Sequence, residues 1–205
     1  QPNATVIQFE LKDPNFYFSV DEREFDPADL FESITMVETD ETGAAIESTR
    51  VDIMDQVDFN GATPKSTYAQ TTNYFVGTIQ AYYNGEAIPG ATPTVYIGVK
   101  GDTNLNGIVE VEDAVAILTY YARASAALSP SFVEDDELLN KLAYFLSDID
   151  TESKLGQNTQ TENISVEDAV YDLTFYARQS AALNPQWPDV VPSLKSLEGS
   201  CWYEG

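Results

Sequence analysis

Asp102-Thr103-Asn104-Leu105-Asn106-Gly107-Ile108-Val109-Glu110-Val111-Glu112-Asp113 is a run of twelve residues with side-chain oxygens at positions 1, 3, 5 and 12. Oxygen donors at that spacing suit a hard cation, and they approach the roughly 6–8 ligands that Ca²⁺ takes. Asp102, Asn104 and Asn106 supply the first half of the shell. Gly107 stands at position 6, where a calcium loop of this length turns sharply. Ile108 at position 7 offers its backbone carbonyl, Glu110 at position 9 can hold a bridging water, and Asp113 closes the loop. Val109 at position 8 is apolar and ties the loop to the helix behind it. Mg²⁺ fits less well, because it keeps its waters and demands strict octahedral geometry. A turn that caps a helix and binds nothing is the bland alternative; the glycine, the valine and the closing acid together argue against it. Position 12 is Asp rather than Glu, so the helix must come closer to the ion.

A second set of donors follows less regularly. Counting back twelve from Asp168 reaches Gln157, a poor first ligand. Asp148, Asp150 and Glu152 upstream supply the oxygens of positions 1, 3 and 5. Joining them to Asp168 requires a loop nine residues longer, with residues 153–161 as a polar insert. Asn163 then takes the carbonyl position and Ser165 the water position. Glu162 occupies the place of the glycine. Four acids around an empty loop would repel one another, so two bound Ca²⁺ ions are expected in all. A decayed site with solvated acids is the alternative.

These loops need helices behind them, and the sequence repeats itself there. VEDAVAILTYYARASAALSP (111–130) and VEDAVYDLTFYARQSAALNP (166–185) agree at fifteen of twenty positions, at an offset of 55. The second half is therefore a tandem duplication of one loop–helix unit. Helices are expected over 112–126 and 167–181. Leu138, Leu139, Leu142, Phe145 and Leu146 recur at helical spacing and predict a middle helix over 134–146. The first hundred residues read differently. Runs at 5–11, 16–20, 51–54, 75–83 and 94–99 alternate or are rich in β-branched and aromatic residues. Turn signals such as Asn84-Gly85 and Pro89-Gly90 separate them. Asp26 to Phe31 suggests one helical turn between strands. The expected fold class is thus α+β and multidomain: an all-β, sandwich-like region over 1–100, then an all-α region over 101–205 with its duplicated segments at about 102–130 and 148–185.

Composition excludes much else. The 205 residues contain 34 Asp+Glu, 10 Lys+Arg and no His, a formal charge of −24. Without His there is no Ser-His-Asp or Cys-His machinery and no His-ligated metal. A surface this negative repels phosphate backbones. Cys201 is the only cysteine, so no intrachain disulfide forms. No apolar run approaches the roughly 20 residues of a membrane helix. No signal peptide opens the chain, which suggests a cytosolic protein or an excised mature fragment.

The duplicated loop and helix, with Asp at position 12 and a middle helix between copies, resembles a dockerin module over about residues 101–188. Gly101 to Gly107, Val111-Glu112-Asp113-Ala114 and Val166-Glu167-Asp168-Ala169 carry the likeness, and the long second loop is similar to the divergent dockerins of rumen cellulosomes. The junction Tyr96-Ile97-Gly98-Val99-Lys100-Gly101-Asp102 looks like that of an X module followed by a dockerin. The resemblance implies two EF-hand-like repeats and a non-catalytic chain. It further implies calcium-dependent binding of a cohesin, with the X module in support. Such pairs anchor a scaffoldin or adhesin at the cell surface, so an extracellular, cellulosomal setting in polysaccharide degradation is implied.

In such modules loop positions 10 and 11 and the following helix face the cohesin. Here those positions are Val111, Glu112, Val166 and Glu167. One helical stripe, Ala114, Leu118 and Tyr121, is most simply core. Its neighbour, Val115, Thr119, Ala122 and Arg123, is small and flat, and Val170, Thr174, Ala177 and Arg178 repeat it. Leu118 and Leu173 are counted with the partner-facing residues too. The near-identity of the copies permits two binding orientations. Positions that differ between copies (Ala116/Tyr171, Ile117/Asp172, Tyr120/Phe175, Ala124/Gln179) are expected to meet solvent, the β region or a partner. Three other readings stand beside this one. They are a carbohydrate-binding β region using Phe16, Tyr17, Tyr82 or Tyr83, a small glycoside-acting enzyme with a carboxylate pair, and a calcium sensor. The sensor is disfavoured by the presence of only 2 Met. No role is assigned to 188–205, where Cys201 and Trp202 are read as a tail or a final packing strand.

Overall fold

The computed structural model describes residues 3–12, 15–19, 26–60, 73–150 and 164–197. In the first part the strands are β1 (Ala4–Leu11), β2 (Asn15–Ser19), β3 (Phe31–Thr39), β4 (Val51–Asp52), β5 (Val57–Asn60), β6 (Phe75–Thr78), β7 (Gln80–Tyr83), β8 (Glu86–Ala87) and β9 (Thr94–Gly98). They form three small sheets, ordered β1-β3-β4, β2-β9-β6 and β5-β7-β8. Every pairing is antiparallel except β2 with β9. The expected sandwich-like β region is present as three small sheets, with a core of Leu30, Phe31, Ile34, Ile53, Ile79, Ala81 and Ile88. The run 75–83 breaks at Ile79 into strands of two different sheets. The turn at Asp26 is a 3₁₀ helix over Pro27–Leu30, where the Asp26 side chain accepts from Ala28 N.

The helices of the second part are α1 (Val111–Ser125), α2 (Glu137–Ser147), α3 (Val166–Ser180) and α4 (Trp187–Val190). The first and third begin within one residue of the expected positions. Both end identically: Ala127 and Ala182 take positive φ of 56° and 55°. Leu128 N and Leu183 N reach back to the Arg123 and Arg178 carbonyls at 3.0 Å. That closing geometry satisfies otherwise orphaned carbonyls. Helix α4 and the 3₁₀ segment Pro192–Leu197 pack Trp187, Val190, Val191 and Leu194 into the helical core with Val109, Ile117, Ile149 and Ile164. Val190, Val191 and Leu194 of the 188–205 stretch are thus core; Cys201 and Trp202, expected as a tail or a final packing strand, lie outside the described residues.

The two parts share a wall. Along β9, Val95 and Ile97 enter the β core, while Tyr96 enters a second cluster with Tyr17, Leu105, Leu142, Phe145 and Leu146. Successive strand residues point to opposite faces, so one strand serves both cores. Tyr17 stacks on Tyr96 at 4.3 Å and lies 5.1 Å from Phe145 of α2. At Gly98 a Cβ would press into the Leu146 side chain, so glycine lets β9 and α2 approach closely without displacing it. The boundary near residue 100 is a packed junction, with Gly101 N donating to Leu146 O at 2.9 Å. Among the described residues no helix is long and apolar enough to cross a membrane.

Candidate metal centre

The first loop is built around two buried acids. Asp102 accepts from Asn106 N (3.0 Å) through Oδ1 and from Gly107 N (2.7 Å) through Oδ2. Gly107 has φ of +91°, which is left-handed backbone that glycine adopts without penalty. Asn104 Oδ1 accepts from Asn106 N at 3.1 Å, and Asn106 Oδ1 accepts from Ile108 N at 3.0 Å. The Asn106 Nδ2 amide donates to Glu110 Oε1 at 2.6 Å. Ile108 exposes its side chain and Val109 buries its own, as positions 7 and 8 require. Leu105 at position 4 is also buried, against Tyr17, Tyr96 and α2, and it sits at φ of +61°. The spacing of the oxygen donors assigns it no role; its signal in the sequence is a lone apolar residue among Asp102, Thr103, Asn104 and Asn106.

Asp113 is the hub. Its Oδ1 accepts from Thr103 N (2.9 Å) and Asn104 N (3.2 Å), and its Oδ2 accepts from Glu110 N (2.9 Å). Position 12 is therefore also the third residue of α1, closing a reciprocal cap with Glu110. An Asp reaches these N–H groups where a longer Glu would overshoot. Burial pushes the Asp102 carboxyl up to about 6, helped by the nearby Asp113 and opposed by the Gly107 and Asn106 N–H groups. Burial raises Asp113 too. Two desolvated acids of like charge hold a tension that a divalent cation relieves.

The second loop repeats this arrangement despite its length. Asp168 Oδ1 accepts from Ile149 N (2.7 Å) and Asp150 N (3.3 Å), and Oδ2 accepts from Ser165 N (2.7 Å). Ile149 and Asp150 are loop positions 2 and 3 only if Asp148 is position 1. Hydrogen bonding thus matches Asp148 with Asp102 and Ser165 with Glu110. Ile164 at position 8 is buried like Val109. Carboxylate oxygens of Asp148, Asp150 and Asp168 all lie within 4.8 Å of one another, with Asp148 and Asp168 buried and Asp150 exposed. This acidic triad can hold a metal ion. The other expected donors, Glu152 and Asn163, lie outside the described residues. An all-oxygen set of this density fits a hard cation such as Ca²⁺.

The outward faces of α1 and α3 meet in an apolar groove lined by Val111, Ala114, Val115 and Leu118 and by their copies Val166, Ala169, Val170 and Leu173. Leu118 and Leu173 are 47% and 46% exposed, and Val115 and Val170 are 57% and 55% exposed. Leu118 and Tyr121 are therefore surface residues and not core; only Ala114 of that stripe is buried. Glu112, Glu167, Thr119, Ala122, Arg123, Ala177 and Arg178 are exposed as well, and Thr174 is half-buried. The Thr119 and Thr174 hydroxyls donate to the carbonyls one turn back on their own helices, Val115 O and Val170 O, at 2.7 Å. Arg178 Nη1 donates to Asp189 O at 3.1 Å.

Most of the positions that differ between copies face inward, contrary to expectation for a solvent or partner face. Ile117 and Asp172 are both fully buried. Tyr120 stacks on Phe132 at 4.4 Å, and Phe175 stacks on Trp187 at 4.0 Å. An aspartate survives in that interior because it is held neutral. Burial, then the charges of Asp113 and Asp102, push its carboxyl up to about 8. Of the aromatics considered for carbohydrate stacking, Tyr17 is buried and Tyr82 and Tyr83 are half-buried. The Phe16 side chain lies outside the described residues.

No protein-family model matches the chain, and no curated protein matches it either.

Proposed function

We propose that the chain is a non-catalytic, calcium-dependent protein–protein interaction unit of dockerin type, preceded by an X module. Its partner in this reading is a cohesin of a scaffoldin or surface-anchoring protein, and its setting is the outside of the cell. Two loop–helix copies carry matching hydrogen-bond frameworks around oxygen-donor loops. Calcium bound in those loops fixes the helix N-termini. The observation that carries the reading is the groove. Three copy-equivalent pairs, Val111/Val166, Val115/Val170 and Leu118/Leu173, leave apolar side chains exposed around a buried Ala114/Ala169 pair, on a chain of formal charge −24. A contiguous apolar patch with a charged surround marks an interaction site. Near-symmetric halves would let one cohesin dock in either of two orientations.

The β region acts as a support. Through Tyr17 and Tyr96 it buttresses both α2 and Leu105 of the first metal loop. Calorimetric titration of the intact chain against a panel of cohesins, in calcium and again in chelator, tests the proposal. Calcium-dependent binding to at least one cohesin supports it, and Leu118→Asp with Leu173→Asp should abolish that binding.

A further inference from the structure

The two metal loops meet at a buried polar junction. Thr103, position 2 of the first loop, shares a hydrogen bond with Ser147 at 2.9 Å between hydroxyl oxygens. Ser147 is the last residue of α2 and directly precedes Asp148, position 1 of the second loop. Both side chains are essentially buried. The Thr103 N–H is one of the three that Asp113 collects, and the Ser147 hydroxyl also donates to Ala143 O at 2.6 Å. Alongside, the buried Lys100 donates its Nζ to the Asp148 carbonyl at 3.3 Å. Gly101 N, one residue before the first loop, binds Leu146 O at 2.9 Å. Three contacts thus tie the start of one loop to the start of the other. Each involves a residue adjacent to a position-1 acid or that acid's own backbone.

We infer that Thr103 and Ser147 are positioning residues that couple the two calcium sites, so that filling one loop raises the affinity of the other. The inference rests on the metal-binding reading above. Closing the first loop on an ion fixes Asp113, and with it the Thr103 backbone. Thr103 then fixes Ser147 and the backbone that presents Asp148. Ordering already completed by one ion need not be repeated for the next, which is positive cooperativity.

A thermodynamic cycle on the full chain separates coupling from mere support. The second loop is weakened by Asp150→Ala at its exposed ligand, and first-loop affinity is measured by calorimetric titration with CaCl₂ alone. With the native junction, Asp150→Ala should weaken first-loop binding by about fivefold, the low end of typical coupling between sites. In a Thr103→Val background the same substitution should change it less than about twofold. If Thr103→Val does not fold, Ser147→Ala takes its place, since alanine is a good residue for a helix end. Equal losses in both backgrounds, or no loss with the native junction, would overturn the coupling. Absence of calcium binding in every chain would instead refute the metal reading, and the coupling with it.

Discussion

The two loop–helix copies share most of their helix sequence yet differ in the loop itself. Copy one spans Asp102 to Asp113; copy two spans Asp148 to Asp168, nine residues longer. In both, the closing Asp takes N–H groups from loop positions 2 and 3 with one oxygen and caps its helix with the other. The middle of the loop can therefore vary while its two ends are held. The copies also differ inside the domain, where Ile117 in one corresponds to Asp172 in the other and both are fully buried. What is duplicated is the hydrogen-bond frame around the closing Asp and the groove, and the inward face has diverged to pack against different neighbours.

The largest expected effect comes from removing the frame's anchor. Asp113→Ala or Asp168→Ala leaves three backbone N–H groups without their buried acceptor, besides removing a proposed metal ligand. Each should cost about 3 kcal/mol or more of stability in denaturant titrations. A loss under about 1 kcal/mol at either position would break the equivalence of the copies. Removing residues 1–100 should come next. It strips Tyr17 and Tyr96 from Leu105, Leu142 and Leu146, so the remaining chain should melt at lower temperature or bind cohesin more weakly. Unchanged stability and affinity would show that the β region is only an appendage.

The divergent inward face gives a pH signature. Asp172 is neutral when folded up to about pH 8, against 3.8 for an ordinary carboxyl, so folding takes up a proton. Its contribution is complete below about pH 4 and is lost as pH rises toward 8. In calcium-free buffer, Asp172→Asn should therefore match the native chain near pH 4 and exceed it by about 1–3 kcal/mol at pH 8. Equal pH profiles would remove the buried charge from the account. The smallest effect is on metal affinity itself. Asp102 must ionise to bind calcium and is pushed up to about 6. First-loop affinity should thus be flat above pH 7 and fall about tenfold for each unit below 6.

The legible parts of the molecule were those where sequence repeats or where spacing is dictated by an ion. An offset of 55 announced the duplication, and the structure places α1 and α3 accordingly. The extended second loop was readable because Asp148 and Asp150 kept the spacing of Asp102 and Asn104. Less was legible where tertiary packing decides. Strand β3 was not expected, because its buried Phe31, Ile34 and Val37 recur every third residue rather than every second, and Glu32, Ser33 and Thr35 between them break the alternation of a half-buried strand. Helix α4 was hidden by Pro188 and Pro192, although Trp187, Val190, Val191 and Leu194 recur at i, i+3, i+4 and i+7. The solvent reading of Asp172 assumed that an aspartate must be charged. The core reading of Leu118 followed from its hydrophobicity, whereas the repeat makes it one rim of a symmetric surface groove.

Titration of the intact chain against a cohesin panel, with calcium and then with chelator, tests the central claim most directly. The account predicts tight binding to at least one cohesin in calcium and its loss when the metal is removed. Failure to bind every cohesin in calcium, or binding that persists undiminished in chelator, would contradict it.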